Sequence, residues 1–249
     1  MKRFAIAGAL LLAIGITLIL AAGYWSYRDV VISIPTQERI AVLTFDDGPH
    51  PTDTLPMLAL LESKGVQATF FLKGRNVQAY PDIARAVQTA GHEIGNHSYS
   101  HRPMTAFTRT AMREEVVKTS DIIESVLGFR PVLFRAPYGL QGIGLTRVLE
   151  ELGMLSIGMG AFGYDWEVFD PQEIANAVLK DVEPGAIILL HDGHGDVDDP
   201  AAQDSRTGTV GATGIIIDTL HEQGYRFVTV GEALNLSTHQ SALASSGLR

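Results

Sequence analysis

Beyond residue 38 the chain alternates short, unbroken apolar runs with longer stretches in which apolar residues recur every three or four positions. Ile40–Phe45 is the clearest run, and continuous apolarity marks a strand covered on both faces. Ala68–Leu72 reads as the next strand, Glu93–Asn96 as the third, and Val132–Phe134, Met154–Met159, Ala186–Leu190 and Arg226–Val230 as those that follow. Between them, Thr54–Lys64 reads as a helix stopped by Gly65, and Pro81–Ala90 as one closed by Gly91. A longer helix spans Thr108 to Leu127, with Met112, Val116, Ile123 and Val126 on one face and Gly128 as its stop. Leu145–Leu152 is helical too. Asp170-Pro171-Gln172-Glu173 starts another helix, combining an acidic N-cap, a proline in the first turn and a Glu three residues on. That helix ends before Pro184-Gly185, and Ile215–Glu222, followed by Gly224, is the last. Repeated β-then-α units of this length predict a parallel sheet with right-handed crossovers, open or closed into a barrel.

The N-terminal pattern is different. Met1-Lys2-Arg3 precedes an uncharged stretch from Phe4 to Tyr24, with Trp25 and Tyr27 close behind. Such a stretch is long enough to cross a bilayer, and Trp and Tyr suit its interface. It predicts an uncleaved signal anchor that leaves the rest of the chain outside the cytoplasm. A signal peptide cleaved near Ala21-Ala22-Gly23 is the alternative.

Composition narrows the chemistry. The 249 residues, 46% of them hydrophobic, suffice for one α/β domain. A net charge of −9 argues against nucleic acid or an anionic membrane surface as partner. The absence of cysteine excludes disulfides, thiolate catalysis and Cys-type zinc sites.

Against that background the polar clusters stand out. Asp46-Asp47 directly follows the first strand, and adjacent buried carboxylates are costly unless a cation shares them. His97 and His101 follow the third strand at a separation of one helical turn, a metal-ligand spacing. Together they suggest a divalent metal on one carboxylate and two imidazoles, with the second carboxylate left for proton transfer. Spacing does not say which carboxylate does which. Arg135 follows the fourth strand, Asp165-Trp166 lies beyond the fifth, and His191-Asp192 ends the sixth. All sit at C-terminal strand ends, where parallel α/β folds place their chemistry.

The blocks Thr44-Phe45-Asp46-Asp47-Gly48, His97-Ser98-x-x-His101, Arg135-Ala136-Pro137-Tyr138-Gly139, Asp165-Trp166 and Ile187-Ile188-Leu189-Leu190-His191-Asp192 resemble, in order, the five motifs of the polysaccharide deacetylases of carbohydrate esterase family four. The resemblance spans about Ile40 to Leu234 and implies a distorted (β/α) barrel, usually of seven strands. Together with the N-terminal apolar stretch and the small, polar residues from Ser237 onward, it gives expected bounds of 1–28 for the anchor or signal peptide, 29–38 for a linker, 39–236 for the catalytic domain and 237–249 for a flexible tail. It assigns Asp47 to the metal with His97 and His101, and makes Asp46 the general base. Arg135 would pair bidentately with Asp46, and Asp165 would raise the pKa of His191, the general acid. The main-chain N–H of Tyr138 would serve the oxyanion, and Trp166 and Leu189 would wall the acetyl pocket. Phe162 departs from the family's fourth motif, which often carries another Asp at that position.

The implied activity is metal-dependent removal of N-acetyl groups from a GlcNAc-containing glycan of peptidoglycan or chitin type, releasing acetate. An O-acetyl esterase of xylan type and a catalytically silent glycan-binding protein are the alternatives. Zinc is the expected ion, with cobalt and nickel also suited to the donors. The expected partners are the acetylated glycan and, through the N-terminal helix, a membrane; a monomer is expected. His50, His92 and His194 read as turn or supporting residues, and His221 and His239 have no chemical context. The acidic stretch Asp196-Val197-Asp198-Asp199 reads as a solvated loop, within a segment from Gly193 to Thr213 expected to shape substrate selection.

Overall fold

Ile40–Asp46 (β1) is buried along its whole length, and its alternation sorts the protein into two cores. Ala41, Leu43 and Phe45 face outward into a large cluster shared with the helices, while Ile40 and Val42 face inward. Thr44 and Asp46 continue the inward face, since side chains alternate along a strand. In the computed structural model, which describes residues 27–195 and 206–235, β1 lies at the centre of a parallel sheet. Around it stand β2 (Thr69–Leu72), β3 (Glu93–Asn96), β4 (Leu133–Phe134), β5 (Leu155–Ser156), β6 (Ala161–Phe162) and β7 (Ala186–His191). The hydrogen-bonded path runs β5-β4-β3-β2-β1-β7-β6, and β8 (Arg226–Phe227) pairs with the start of β1. The seven strands of the path form a curled half-barrel.

The expected seven strands are thus eight among the described residues, because the predicted strand Met154–Met159 is interrupted. After β5, Gly158 donates its N–H to the Val31 carbonyl and Gly160 donates to Ile187. The intruder is the segment at residues 30–34. Val31 pairs in parallel with Ile157, Ser33 pairs antiparallel with Ala186, and Ile34 is part of the inner core. A Cβ at Gly158 or Gly160 would collide with Ile32. Residues 29–38, expected as a linker, therefore also bridge the two ends of the curled sheet.

The helices are α1 (Thr54–Lys64), α2 (Gly74–Ala79), α3 (Pro81–Thr89), α4 (Arg109–Leu127), α5 (Leu145–Glu151), α6 (Pro171–Leu179), α7 (Thr207–Glu222) and α8 (Val230–Ala233). Left-handed glycines end α1 at Gly65 and α4 at Gly128, and Asp170 caps α6 through the N–H groups of Gln172 and Glu173, as the sequence predicts. Helix α7 starts eight residues before the predicted Ile215. Its first eight residues include three glycines and three threonines without helical periodicity, so packing decides: Thr209, Ala212 and Thr213 are buried and Gly211 lies against the Pro171 ring. The short α2 and α8 carry no apolar periodicity, and α8 starts on a capping box between Thr229 and Glu232. The predicted anchor over Phe4–Tyr24, the Asp196–Asp199 stretch and the tail from 237 lie outside the described residues. Among the described residues, no helix is long and apolar enough to cross a membrane.

Candidate active site

The C-terminal ends of the strands open into a cleft of about 460 Å³. Asp46, Asp47, His97, His101, Tyr138, Trp166, Leu189 and His191 line it. Arg135 and Asp165 lie behind, each hydrogen-bonded to a lining residue. All the residues singled out from the sequence therefore meet at one site. A larger, open depression of about 1410 Å³ at the opposite end of the sheet, around Ile40, Val66, His92 and Phe227, contains none of them.

Directly after β1 the chain turns at Asp47, whose φ is +74°. Asn76 of α2 donates to the Asp47 carbonyl at 2.8 Å and fixes that turn. Asp47 Oδ1 is buried and accepts no hydrogen bond among the described residues. Instead it faces His101 Nε2 at 3.2 Å and His97 Nε2 at 3.6 Å. Ligands ~2.0–2.2 Å from a tetrahedral ion stand roughly 3.3 Å apart, so this donor set fits one cation. Burial works against the Asp47 carboxylate, but the neighbouring His101, His97, His191 and Lys73 hold its pKa below the usual range.

His97 Nδ1 lies 2.9 Å from the Arg135 carbonyl. A carbonyl only accepts, so Nδ1 carries the hydrogen and Nε2 turns its lone pair toward the Asp pair. Burial pushes the His97 pKa down to about 4, keeping the imidazole neutral as a ligand must be.

The helical turn expected between His97 and His101 does not form. Ser98 and His101 adopt φ of +62° and +60°. The N–H of Ser98 donates to Asn96 Oδ1 at 2.8 Å, and those of Tyr99 and Ser100 donate to Glu115 of α4 at 3.0 and 2.8 Å. Side chains have captured the donors a helix would have given to carbonyls. The bend nonetheless sets the two rings 5.0 Å apart, centroid to centroid. Asp47, Ser98, His101, Tyr138 and Tyr164, five non-glycine residues with positive φ, all belong to segments that build the cleft. Each such residue costs about 1–2 kcal/mol that packing elsewhere must offset.

Arg135 is wholly buried. Its Nη1 donates to Asp46 Oδ1 at 2.8 Å and to Thr44 Oγ1 at 2.7 Å, and Nη2 donates to the Gly158 carbonyl at 2.8 Å. The Phe71 ring lies 4.2 Å from the guanidinium. The expected bidentate clamp on Asp46 is therefore a single-nitrogen contact. A buried guanidinium has five N–H groups to satisfy, and here they are shared between β1 and the segment at residues 157–158.

Across the cleft, His191 pairs in register with Asp46 on adjacent strands. Asp165 follows β6, one strand later than the sequence count. Its Oδ1 lies 2.8 Å from His191 Nδ1, while its Oδ2 accepts from the His191 N–H at 2.9 Å and from Thr209 Oγ1 at 3.0 Å. Burial would lower the His191 pKa; the charge and hydrogen bond of Asp165, aided by Asp47 and Asp46, raise it instead to about 9. Trp166 meets the His191 ring edge-on at 5.5 Å, and Phe162 stacks on Trp166. Tyr138 sits in a Pro137–Gly139 turn at φ +59°, its ring 4.7 Å from His101.

Several contributors were not read from the sequence. Arg206 lines the cleft and donates to the carbonyls of Gly193 and Asp165, and Met159 and Gly195 complete the wall. Arg206 and Gly195 lie in a segment without periodicity or motif, and Glu115 looks like any charged residue of a solvated helix face.

A curled parallel sheet carrying one carboxylate and two imidazoles in metal-ligand geometry, beside an Arg-paired Asp and an Asp-paired His, defines a hydrolase. The chain belongs to the polysaccharide deacetylase family, whose sequence signature matches residues 33–157. It is 35% identical over 207 residues to a peptidoglycan-N-acetylglucosamine deacetylase of Bacillus cereus, covering 82% of this chain and 92% of that one. A chitooligosaccharide deacetylase of Azorhizobium caulinodans is 33% identical over 195 residues, covering 76% and 92%. The crystal structure of the Bc1960 peptidoglycan N-acetylglucosamine deacetylase matches with a TM-score of 0.78 at 31% identity, covering 86% of this chain and 96% of that one.

Proposed function

We propose that this enzyme removes acetyl groups from the N-acetylglucosamine units of a cell-wall or chitin-like glycan. The observation that carries the reading is the register of Asp46 against His191, which sets an Arg-held carboxylate opposite a carboxylate-held imidazole beside the Asp47, His97 and His101 donors. Those three donors would hold a divalent cation, zinc suiting them best, with cobalt or nickel also compatible. When bound, such a cation polarises the acetyl carbonyl and makes water more acidic.

The chain's own residues do the rest. Asp46 Oδ1 is engaged by Arg135, so Oδ2 takes the proton from the attacking water. The water oxygen adds to the acetyl carbon, and the Tyr138 N–H donates to the developing oxyanion. Nδ1 of His191 is committed to Asp165, so Nε2 gives its proton to the departing nitrogen, and acetate and the free amine are the products. Trp166 and Leu189 receive the acetyl methyl group. The uncharged stretch Phe4–Tyr24 supports anchoring outside the cytoplasm.

The test is Asp46→Asn, assayed for acetate release from peptidoglycan, chitooligosaccharide and acetylxylan alongside metal content. Loss of release from the glucosamine glycans with metal retained is the expected result. Substantial residual release would remove Asp46 as base, and a wild type active on acetylxylan alone would make the enzyme an O-acetyl esterase. Glycan binding without release from any substrate would make it the silent binding protein.

A further inference from the structure

A second group of metal-type donors lies beneath the cleft, where the sequence suggested only turn residues. His50, Asp53 and His194 bring one ligand atom each to within 4.8 Å of one another. His50 Nδ1 lies 2.8 Å from Asp53 Oδ2, and His194 Nε2 lies 3.6 Å from the same oxygen. The His50 and His194 rings are 5.1 Å apart. The longer distance and the ring separation match those of the Asp47, His97 and His101 set, where imidazole nitrogens stand 3.2 and 3.6 Å from one carboxylate oxygen and the rings are 5.0 Å apart; the His50–Asp53 distance is shorter.

Hydrogen bonding does not account for the position of His194. His194 Nε2 is buried and has no hydrogen-bond partner among the described residues. It points at Asp53 Oδ2 from beyond hydrogen-bond range. An imidazole nitrogen in that position is at a loss unless something sits between it and the carboxylate. The His50 and Asp53 side chains are each 1% exposed and that of His194 12%, so the space between them is sheltered from bulk water.

The surroundings brace this geometry. Asp53 Oδ1 accepts the Arg206 N–H at 2.9 Å, which leaves Oδ2 for the imidazoles. Lys73, fully buried, donates to the carbonyls of His194 and Gly195 at 2.6 and 3.0 Å and pins the backbone that presents His194.

We infer that His50, Asp53 and His194 form a second divalent-cation site, distinct from the catalytic donor set and suited to zinc by its two imidazoles and one carboxylate. Its role follows from the segments it joins. Asp53 precedes α1, His194 follows β7, and Arg206 leads into α7. Gly195, next to His194, packs directly on the His101 ring, and Arg206 lines the cleft. An ion at this position fastens both ends of the segment between Gly193 and Arg206 to the body of the protein, and so fixes one wall of the cleft.

Zinc content of the full-length protein, measured by elemental analysis after zinc loading and gel filtration, tests the inference. Wild type is expected to hold two equivalents, His194→Gln and His50→Gln one each, and His97→Ala one. Adding His194→Gln to His97→Ala is expected to remove the last. Because His194 lies on a loop, its variant is expected to fold even if His50→Gln does not. Zinc retained by His97→Ala and lost in the double variant supports the second site whether or not the enzyme deacetylates. A His97→Ala protein without zinc, or a His194→Gln protein with undiminished zinc, overturns it and leaves the cluster as a set of packed polar side chains.

Discussion

The carbonyl of Arg135 receives the Nδ1 hydrogen of His97 at 2.9 Å, while the guanidinium of the same residue holds Asp46 at 2.8 Å. One residue thus orients a metal donor through its backbone and the proposed base through its side chain. The two tasks are separable by mutation. Arg135→Lys keeps the carbonyl and a positive charge but cannot reach Asp46, Thr44 and Gly158 together. The variant should retain its full metal content while acetate release falls about a hundredfold or more, the scale of a misplaced general base. Metal lost together with activity would show that the side chain, and not the carbonyl, positions His97.

The pH profile should report the His191–Asp165 pair. The His191 pKa is raised to about 9, so the acid form persists through neutrality and is lost as pH rises through that value. Activity should therefore decline on the alkaline side near pH 9. Asp165→Asn removes the chief raising partner and should move that limb down toward the ordinary imidazole range of about 6.5. The same shift adds stability that is fully present below about 6.5 and disappears as pH rises through about 9. Rate profiles of the two proteins with an unchanged alkaline limb would break the assignment.

His92 should make the fold sensitive to acid. Burial lowers its pKa to about 4, and its Nδ1 accepts the Ala68 N–H at 3.2 Å, which only the neutral ring can do. The folded state binds this proton less readily than the unfolded chain, so stability present above pH ~6.5 is lost as pH falls toward 4. The contribution is at most about 3 kcal/mol. His92→Asn places a non-titrating acceptor near Nδ1 and should flatten that loss. Urea midpoints measured from pH 7 to 4.5 decide the point, and parallel curves for the two proteins would contradict it.

Gly95 should tolerate no side chain. A Cβ there would stand 2.5 and 2.6 Å from Cδ1 and Cε1 of Phe71, the ring that lies against Arg135. Gly95→Ala should cost about 1–3 kcal/mol through overpacking, and displacement of Phe71 should lower activity as well. Adding Phe71→Leu should recover part of the stability. Thermal unfolding of the single and double variants checks both statements, and a Gly95→Ala protein as stable as wild type would refute the contact.

Legibility in the sequence followed the range of the interactions involved. β1 was readable because burial on both faces leaves an unbroken apolar run, and α1 because a left-handed glycine stops it. The candidate donors were readable as residue types because the Asp46-Asp47 pair and His97 fall at strand ends, with His101 one short segment further on. Their conformation was not, because the bend through His101 is tied by Glu115 from a helix beginning eight residues further on. The start of α7 was hidden for a related reason: its glycines and threonines carry no helical signal and fold against α6. Arg206 acts through backbone carbonyls, contacts that no local motif encodes.

The segment at residues 30–34 bridges the two ends of the curled sheet, at Ile157 on one side and Ala186 on the other. Tension applied to the N-terminal side of Tyr27 is therefore delivered to the seam of the half-barrel, and not to a slack loop. Because that seam carries Gly158, whose carbonyl takes an Arg135 donor, a pull on this end of the chain is mechanically connected through Arg135 to Asp46 in the cleft.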